Sequence, residues 1–315
     1  MPGQNTLLIL TRDPQRYARE VTALGFSDLQ VKAPETPAEI NRHIRTCNLI
    51  LAEPERLAPL IGAAHRLQWV QSTFAGVEAL AVAAHRRDYR LTGVKGVHGP
   101  LMAEYVLGYI LARERNLFST YENQKIRRWN SQPYLSLGGR ILGICGLGSI
   151  GREIAETAGR FGMRIWGFKR TENAVEGVER LFTPPDFNAF LAQPDYVVIT
   201  LPLTAATRGL FGDTAFETMK PEAVLINIGR GNIVNESSLI RALRSRQIRG
   251  AVLDVFEKEP LPADSPLWRL PQVLVTPHNA GFSFPEEIVR IFADNYRRFR
   301  ENRPLQFEVD FERGY

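Results

Sequence analysis

RILGICGLGSIGREIAETAGRFGMRIWGFKR, residues 140–170, decides the fold. Residues 140–146 form a short apolar run that reads as a strand. Residues 150–162 carry an apolar face at helical spacing, and 163–168 read as a second strand. Between the first strand and the helix stand Gly146, Gly148 and Gly151, in the order Gly-x-Gly-x-x-Gly. In that context Gly146 makes a tight turn, Gly148 leaves room for a pyrophosphate, and Gly151 lets helix and strand pack closely. Ser149 and Ile150 open the helix, whose N-terminus offers backbone N–H groups and a favourable dipole to phosphate. A purely structural glycine turn, or a site for a methyl-donor nucleotide, uses similar local geometry.

An NAD site often has an acid near the end of the second strand, to bind the ribose 2′-hydroxyl. The stretch WGFKRT at 166–171 has none. Lys169 and Arg170 stand there instead, and two cations suit the 2′-phosphate of NADP(H). NAD(H) is the alternative, with one or both cations facing solvent. Pro202 and Thr204 follow the strand read at 195–200, which places them along the adenosine half; a plain turn is the competing reading.

Working outward, 223–228, 250–256 and 272–277 read as further strands. Their near-continuous apolar character fits a parallel sheet covered on both faces. Residues 236–248 read as a helix between two of them. In the first third, apolar runs at 7–10, 48–52, 67–72 and 89–93 alternate with helix-like stretches at 14–24 and 36–46, a βα rhythm that implies a second parallel sheet. Residues 102–116 read as a helix extending toward Tyr121 and Arg127, followed by a loop. The last helix spans 285–302, with Pro285 at its start and Glu286 and Glu287 in its first turn.

Composition narrows the function. At roughly 150 residues per domain, 315 residues predict two domains. The chain is 44% hydrophobic and 23% charged, which excludes a disordered or collagen-like protein. A net charge of +5, with acids and bases interspersed, favours an anionic ligand over a nucleic-acid surface. The basic clusters Arg86–Arg87 and Arg297, Arg298, Arg300 read as solvated faces. Cys47 and Cys145 form no disulfide framework, so a reducing, cytoplasmic setting is expected. No apolar run reaches 18 residues and no leader pattern opens the chain, so neither a membrane span nor a signal peptide is expected. There is no HExxH, no paired Cys/His spacing, no Walker A and no GxSxG, so neither a metal nor an activated serine is expected.

Three residues lie just past the ends of strands, where functional groups gather in open α/β sheets. Arg230 stands between Gly229 and Gly231, and its guanidinium suits a carboxylate and an adjacent carbonyl. His278 follows the last strand and can exchange a proton near neutral pH. An acid in Glu257-Lys258-Glu259 can favour its charged form, but the residues alone do not choose between the two glutamates.

With GLGSIGREIAETAGRFGMRIWGFKR, LINIGRGNIVNESSLIRALRSRQIRGAVLDVFEKEPLP and SPLWRLPQVLVTPHNAG on one chain, the sequence resembles the D-isomer-specific 2-hydroxyacid dehydrogenase family over essentially its full length. The resemblance implies two Rossmann-like or flavodoxin-like α/β domains with parallel sheets and an active-site cleft between them. Residues 1–101 and 285–315 would form a discontinuous substrate domain, and 102–284 the NAD(P)-binding domain. The resemblance assigns catalysis to Arg230, Glu259 and His278, choosing Glu259 because it precedes the proline. It places Ala75, Gly76 and Val77 at the substrate carboxylate, Asp254 near the nicotinamide carboxamide, and a homodimer contact on the helix near Met102.

The implied reaction is reversible reduction of a small 2-oxo acid to the D-2-hydroxy acid. VQSTFAGVE, GPLMAEYVL and the basic cofactor stretch are most similar to the glyoxylate/hydroxypyruvate-reductase-like members. His98, Leu101, Met102, Trp129 and Trp268 are candidates for shaping the pocket, with ordinary packing as the alternative. Glu78, Lys169 and Asn279 depart from the usual family pattern. A bulkier or phosphorylated 2-oxo acid, or a non-catalytic NAD(P)-sensing role, are the alternative functions.

Overall fold

The computed structural model describes residues 4–81 and 86–311. The chain divides into two compact units, Met1–Val97 with Ser283–Tyr315, and His98–Phe282. The crossings fall at 97/98 and 282/283, a few residues before the expected 101/102 and 284/285.

In the first unit the strands are β1 (Asn5–Leu10), β2 (Leu29–Lys32), β3 (Leu49–Ala52), β4 (Trp69–Ser72) and β5 (Arg90–Thr92). They form one sheet in the order β2-β1-β3-β4-β5, every neighbouring pair parallel. The helices are α1 (Pro14–Ala23), α2 (Pro37–His43) and the short α3 (Pro54–Leu57). Thr36 and Glu39 cap α2 reciprocally. β3 and β4 are buried at every position, as strands covered on both faces must be.

In the second unit, α4 (His98–Glu114) and α5 (Leu117–Lys125) precede β6 (Ile141–Cys145), α6 (Ser149–Arg160) and β7 (Arg164–Phe168). Then come β8 (Arg180–Phe182), α7 (Phe187–Leu191), β9 (Tyr196–Ile199), α8 (Asp213–Thr218), β10 (Val224–Asn227), α9 (Glu236–Arg244), β11 (Gly250–Leu253) and β12 (Val273–Val275). The sheet order is β12-β11-β10-β9-β6-β7-β8, parallel throughout, the dinucleotide-fold arrangement with its reversal between β6 and β9. The last helix, α10 (Pro285–Arg300), returns to the first unit and buries Phe292 and Tyr296 there.

Register positions the site. Cys145 pairs with Ile199, Ile199 with Asn227, Asn227 with Leu253, and Leu253 with Val275. One row of residues therefore ends five strands at the same edge. The loops after them, carrying Gly146, Pro202, Arg230, Glu259 and His278, all leave from that edge.

Several boundaries differ from the sequence reading. The helix placed at 102–116 begins at His98, because Pro100 sits in its first turn, where a missing N–H costs nothing. It stops at Glu114; Asn116 adopts φ +55°, and α5 is a separate helix. The helix read at 236–248 ends at Arg244, with Arg246 in the left-handed region at φ +58°.

Candidate active site

The turn after β6 is built for close approach. Gly146 has φ +103°, which disfavours any side chain, and Thr200 Oγ1 donates to its carbonyl at 2.7 Å. A Cβ on Gly151 would fall 1.9 Å from that carbonyl oxygen, so only glycine lets α6 sit this near the strand. Gly148 is different: a Cβ there would meet nothing within 4 Å. It forms the N-cap of the twelve-residue α6 without a side-chain cap, so the first N–H groups, at Ser149 and Ile150, have no side chain to satisfy them. An open glycine before an uncapped helix N-terminus fits a pyrophosphate.

At the end of β7, Lys169 Nζ donates to the Asn173 carbonyl at 2.9 Å and Arg170 is exposed. The Pro202–Thr207 turn is braced by Thr207 Oγ1, which donates to the Pro202 carbonyl at 2.7 Å and accepts from the Thr204 N–H at 2.8 Å. Pro202 is exposed and Thr204 half-buried on the same edge.

His278 and Glu259 meet. The imidazole Nδ1 lies 2.7 Å from Glu259 Oε2, and the other carboxylate oxygen accepts the Phe256 N–H at 3.0 Å. The competing Glu257 is engaged elsewhere, accepting the Glu236 N–H at 2.9 Å, so the structure pairs the histidine with Glu259. The hydrogen bond to Glu259 raises the His278 pKa against the lowering effect of burial, and the Glu259 and Asp254 charges raise it further. Burial pushes Glu259 up, but the bonds from His278 and Phe256 and the His278 and Arg230 charges hold its pKa below the usual value. The His278 side chain is 53% exposed, so the pair sits at an accessible edge.

Asp254 holds the loop that carries the histidine. It is 1% exposed, and its carboxylate accepts from Thr276 Oγ1 at 2.6 Å, the Asn279 N–H at 2.9 Å and the Ala280 N–H at 3.0 Å. Its backbone carbonyl accepts the His278 N–H at 2.9 Å. These bonds hold His278 at φ +52°, a conformation that costs a non-glycine residue on the order of 1–3 kcal/mol. The sequence reading missed this bracing role, and missed Tyr105, whose hydroxyl lies 2.6 Å from Thr276 Oγ1.

Arg230 follows β10 on a loop stapled by buried Asn227. Asn227 Nδ2 donates to the Arg230 carbonyl at 3.1 Å, and its Oδ1 accepts the Gly229 N–H at 3.1 Å. A Cβ on Gly231 would fall 1.9 Å from the Phe256 carbonyl carbon, so this loop lies directly against the one leading to Glu259.

Ala75, Gly76 and Val77 lie after β4 in the first unit, where Ser72 Oγ donates to the Phe74 carbonyl at 2.8 Å. The N–H groups of Ala75, Gly76 and Val77 donate to no backbone group among the described residues. Of the residues expected to shape a pocket, His98 and Met102 pack against Gly281, just past the histidine loop. Trp129 is 98% exposed, whereas Trp268 is half exposed and donates its indole N–H to the Pro262 carbonyl at 2.9 Å within its own unit. The basic clusters are partnered: Arg86 with Asp88, Arg297 with Asp294, and Arg300 with Asp28. Among the described residues, no group of three His, Cys, Asp or Glu side chains is placed to hold a metal, and no helix is long and apolar enough to cross a membrane.

A parallel sheet of this order, with a glycine turn at its reversal, defines a dinucleotide-binding α/β protein. Comparison with known proteins takes the assignment further. The family description "D-isomer specific 2-hydroxyacid dehydrogenase, NAD binding domain" matches residues 107–280. Glyoxylate/hydroxypyruvate reductase A of Klebsiella pneumoniae (strain 342) is 33% identical over 220 residues, covering 69% of this chain and 70% of that protein. Among solved structures, a D-isomer specific 2-hydroxyacid dehydrogenase family protein from Aeromonas salmonicida subsp. salmonicida A449 is 45% identical. It superposes with a TM-score of 0.95 over 98% of this chain and 100% of that one. An NADPH-dependent glyoxylate/hydroxypyruvate reductase from Sinorhizobium meliloti, solved with NADP and sulfate, gives 27% identity and a TM-score of 0.90 over 99% and 100%. The chain belongs to the D-isomer specific 2-hydroxyacid dehydrogenase family and is an oxidoreductase with an NAD-binding domain.

Proposed function

We propose that the chain reduces a small 2-oxo acid of the glyoxylate or hydroxypyruvate kind to the D-2-hydroxy acid, preferring NADP(H) to NAD(H). The observation that carries this reading is the His278–Glu259 pair, 2.7 Å apart at the sheet edge from which the glycine turn also leaves. The names of the K. pneumoniae and S. meliloti relatives support the substrate class, and the NADP in the latter supports the cofactor.

In this reading Gly146, Gly148, Ser149, Ile150 and Gly151 hold the pyrophosphate, Lys169 and Arg170 the 2′-phosphate, and Pro202 and Thr204 the adenosine half. Asp254 serves the carboxamide end. When bound, the reduced nicotinamide supplies a hydride to C2 of the substrate. The backbone amides of Ala75, Gly76 and Val77 hold the substrate carboxylate, and Arg230 binds the carboxylate and carbonyl oxygens and favours the negative charge that develops. His278 uses Nδ1 toward Glu259, which leaves Nε2 to give its proton to the carbonyl oxygen. Glu259 fixes the ring and keeps it charged until that transfer. The reverse reaction begins with His278 neutral and accepting the hydroxyl proton.

His98–Phe282 is thus the cofactor unit and the remainder the substrate unit. Two buried free cysteines agree with a reducing, cytoplasmic setting. The exposed apolar side chains of Leu117, Tyr121, Ile126 and Trp129 favour a homodimer contact along this stretch.

Steady-state reduction of glyoxylate, hydroxypyruvate, pyruvate and branched 2-oxo acids, with NADPH and NADH in parallel, tests the proposal. Turnover of glyoxylate and hydroxypyruvate with NADPH is expected. Replacing Lys169 and Arg170 by alanine should raise KM for NADPH roughly tenfold or more and leave NADH little changed. No turnover of any 2-oxo acid, or higher efficiency with NADH in the unaltered protein, overturns the corresponding half.

A further inference from the structure

The two glutamates that flank Lys258 go separate ways in the folded chain. Glu259 meets His278, whereas Glu257 meets the start of α9. Glu257 Oε1 accepts the Glu236 N–H at 2.9 Å, and Glu236 Oε1 accepts the Glu257 N–H at 2.7 Å. Each acid therefore binds the other's backbone, and the two form a reciprocal clasp. Glu236 is the first residue of α9, so its N–H is one that a helix leaves without an internal partner. A carboxylate there also meets the positive end of the helix dipole. Asn235 caps α9 independently, accepting the Ser238 N–H at 2.9 Å.

The clasp ties together the two loops that carry the chemistry. One runs from Arg230, past β10, to the start of α9; the other runs from Asp254, past β11, to Glu259. They touch at Gly231, where a Cβ would come 1.9 Å from the Phe256 carbonyl carbon and 2.5 Å from the Glu257 nitrogen. The reciprocal bonds add a second point of attachment, and two points stop one loop from pivoting on the other. Arg230 adjoins the first point. The Phe256 N–H, beside the second, donates to Glu259 Oε1 at 3.0 Å, so a shift at 256–257 carries the Glu259 carboxylate with it. The Arg230 charge acts on both Glu259 and His278, lowering the pKa of each, so its distance from the pair matters.

The arrangement holds two like charges close together. Burial raises the Glu236 pKa and the Glu257 charge raises it further, against the lowering effect of the Glu257 N–H. Each carboxylate stays because the other residue's N–H is there to be accepted. We propose that Glu236 and Glu257 are positioning residues, which set the spacing of Arg230 from Glu259 and, through Glu259, the setting of His278. This rests on the reading of His278 and Glu259 as the acid–base pair.

The test is kcat/KM against pH for reduction by NADPH, with the 2-oxo acid that the unaltered protein turns over best. The variants are Glu257→Ala, Glu257→Gln, Glu236→Ala and Glu236→Gln, with Glu259→Gln as reference. Alanine removes the acceptor, whereas glutamine keeps an acceptor oxygen and loses only the charge. In Glu257→Ala, kcat/KM is expected to fall roughly tenfold and the alkaline limb to move to lower pH by roughly half a unit or more, with NADPH affinity retained. Glu257→Gln and Glu236→Gln are expected to restore both the rate and the limb. Should Glu257→Ala fail to fold, Glu236→Ala carries the same test, since it leaves the α9 N–H satisfied. Equal displacement in the alanine and glutamine variants would make the effect one of charge and overturn the proposal. So would a lower melting temperature with the limb unmoved in both alanine variants, provided that the limb moves in Glu259→Gln. An unmoved limb in Glu259→Gln instead removes the acid–base reading itself, and this inference with it.

Discussion

A histidine becomes a useful acid only when something holds its proton in place until it is needed. In the mechanism proposed above that acid is His278 and the holding group is Glu259, whose hydrogen bond and charge raise the imidazole pKa above its ordinary value. Reduction requires the charged ring, so its rate should hold at low pH and fall as pH rises through that raised pKa. Oxidation requires the neutral ring and should show the mirror-image profile. In Glu259→Gln the alkaline limb of reduction should move to lower pH, read from kcat/KM against pH. In His278→Ala turnover should fall by about 10²–10⁴-fold with NADPH affinity retained. An unmoved limb in the first variant would remove Glu259 from this role. The choice between Glu257 and Glu259 was not legible in the residues themselves, because two glutamates two positions apart carry the same chemistry. It took the family resemblance to choose, and in the folded chain Glu259 is the one that lies 2.7 Å from His278.

At the scale of elements, the reaction edge is a consequence of register. Five parallel strands end in one row, and their apolar runs made those strands readable. The edge strands β2 and β8 were not read, because LQVK and RLF are short and mix polar with apolar residues. The bracing of the histidine loop was equally hidden: Asp254 in the sequence is only the polar end of a strand. The bond directions in that brace are determined. Thr276 must give its one proton to the Asp254 carboxylate, so the Tyr105 hydroxyl must donate to Thr276. Thr276→Val should therefore lower kcat by about tenfold through a displaced His278 loop, with a smaller loss in Tyr105→Phe. Stability and NADPH affinity measured alongside separate the two explanations. A lower melting temperature with kcat unchanged would make the brace structural only.

At the scale of the molecule, the N-terminal unit is stitched together by residues from both ends of the chain. Trp69 on β4 stacks on Phe292 of α10 with ring centroids 5.3 Å apart. Asn295, fully buried, donates to Gln71 Oε1 at 3.2 Å and to the Gln306 carbonyl at 3.1 Å, and accepts the Gln306 N–H at 2.7 Å. Asn295→Leu should cost about 1–3 kcal/mol, since it leaves buried polar partners unsatisfied. Denaturant unfolding of the full chain measures it, and a loss within error would mean that water replaces the amide. Two domains were legible from length alone. That the first of them closes only with the last helix came from the resemblance, because nothing in the amphipathic pattern of 285–302 says which core it covers.

The return of α10 has a consequence for how the protein is made. Residues 98–282 are synthesised while the sheet of the N-terminal unit lacks the helix that covers Trp69, Leu7 and Ile9. At ribosomal speeds the interval is on the order of ten to forty seconds. Through that time the nascent chain carries the first unit without its closing helix, while the second unit depends on no later segment. The second unit is thus the first whose sequence is complete, and the opening strands are the segment for which a chaperone has the longest opportunity to bind.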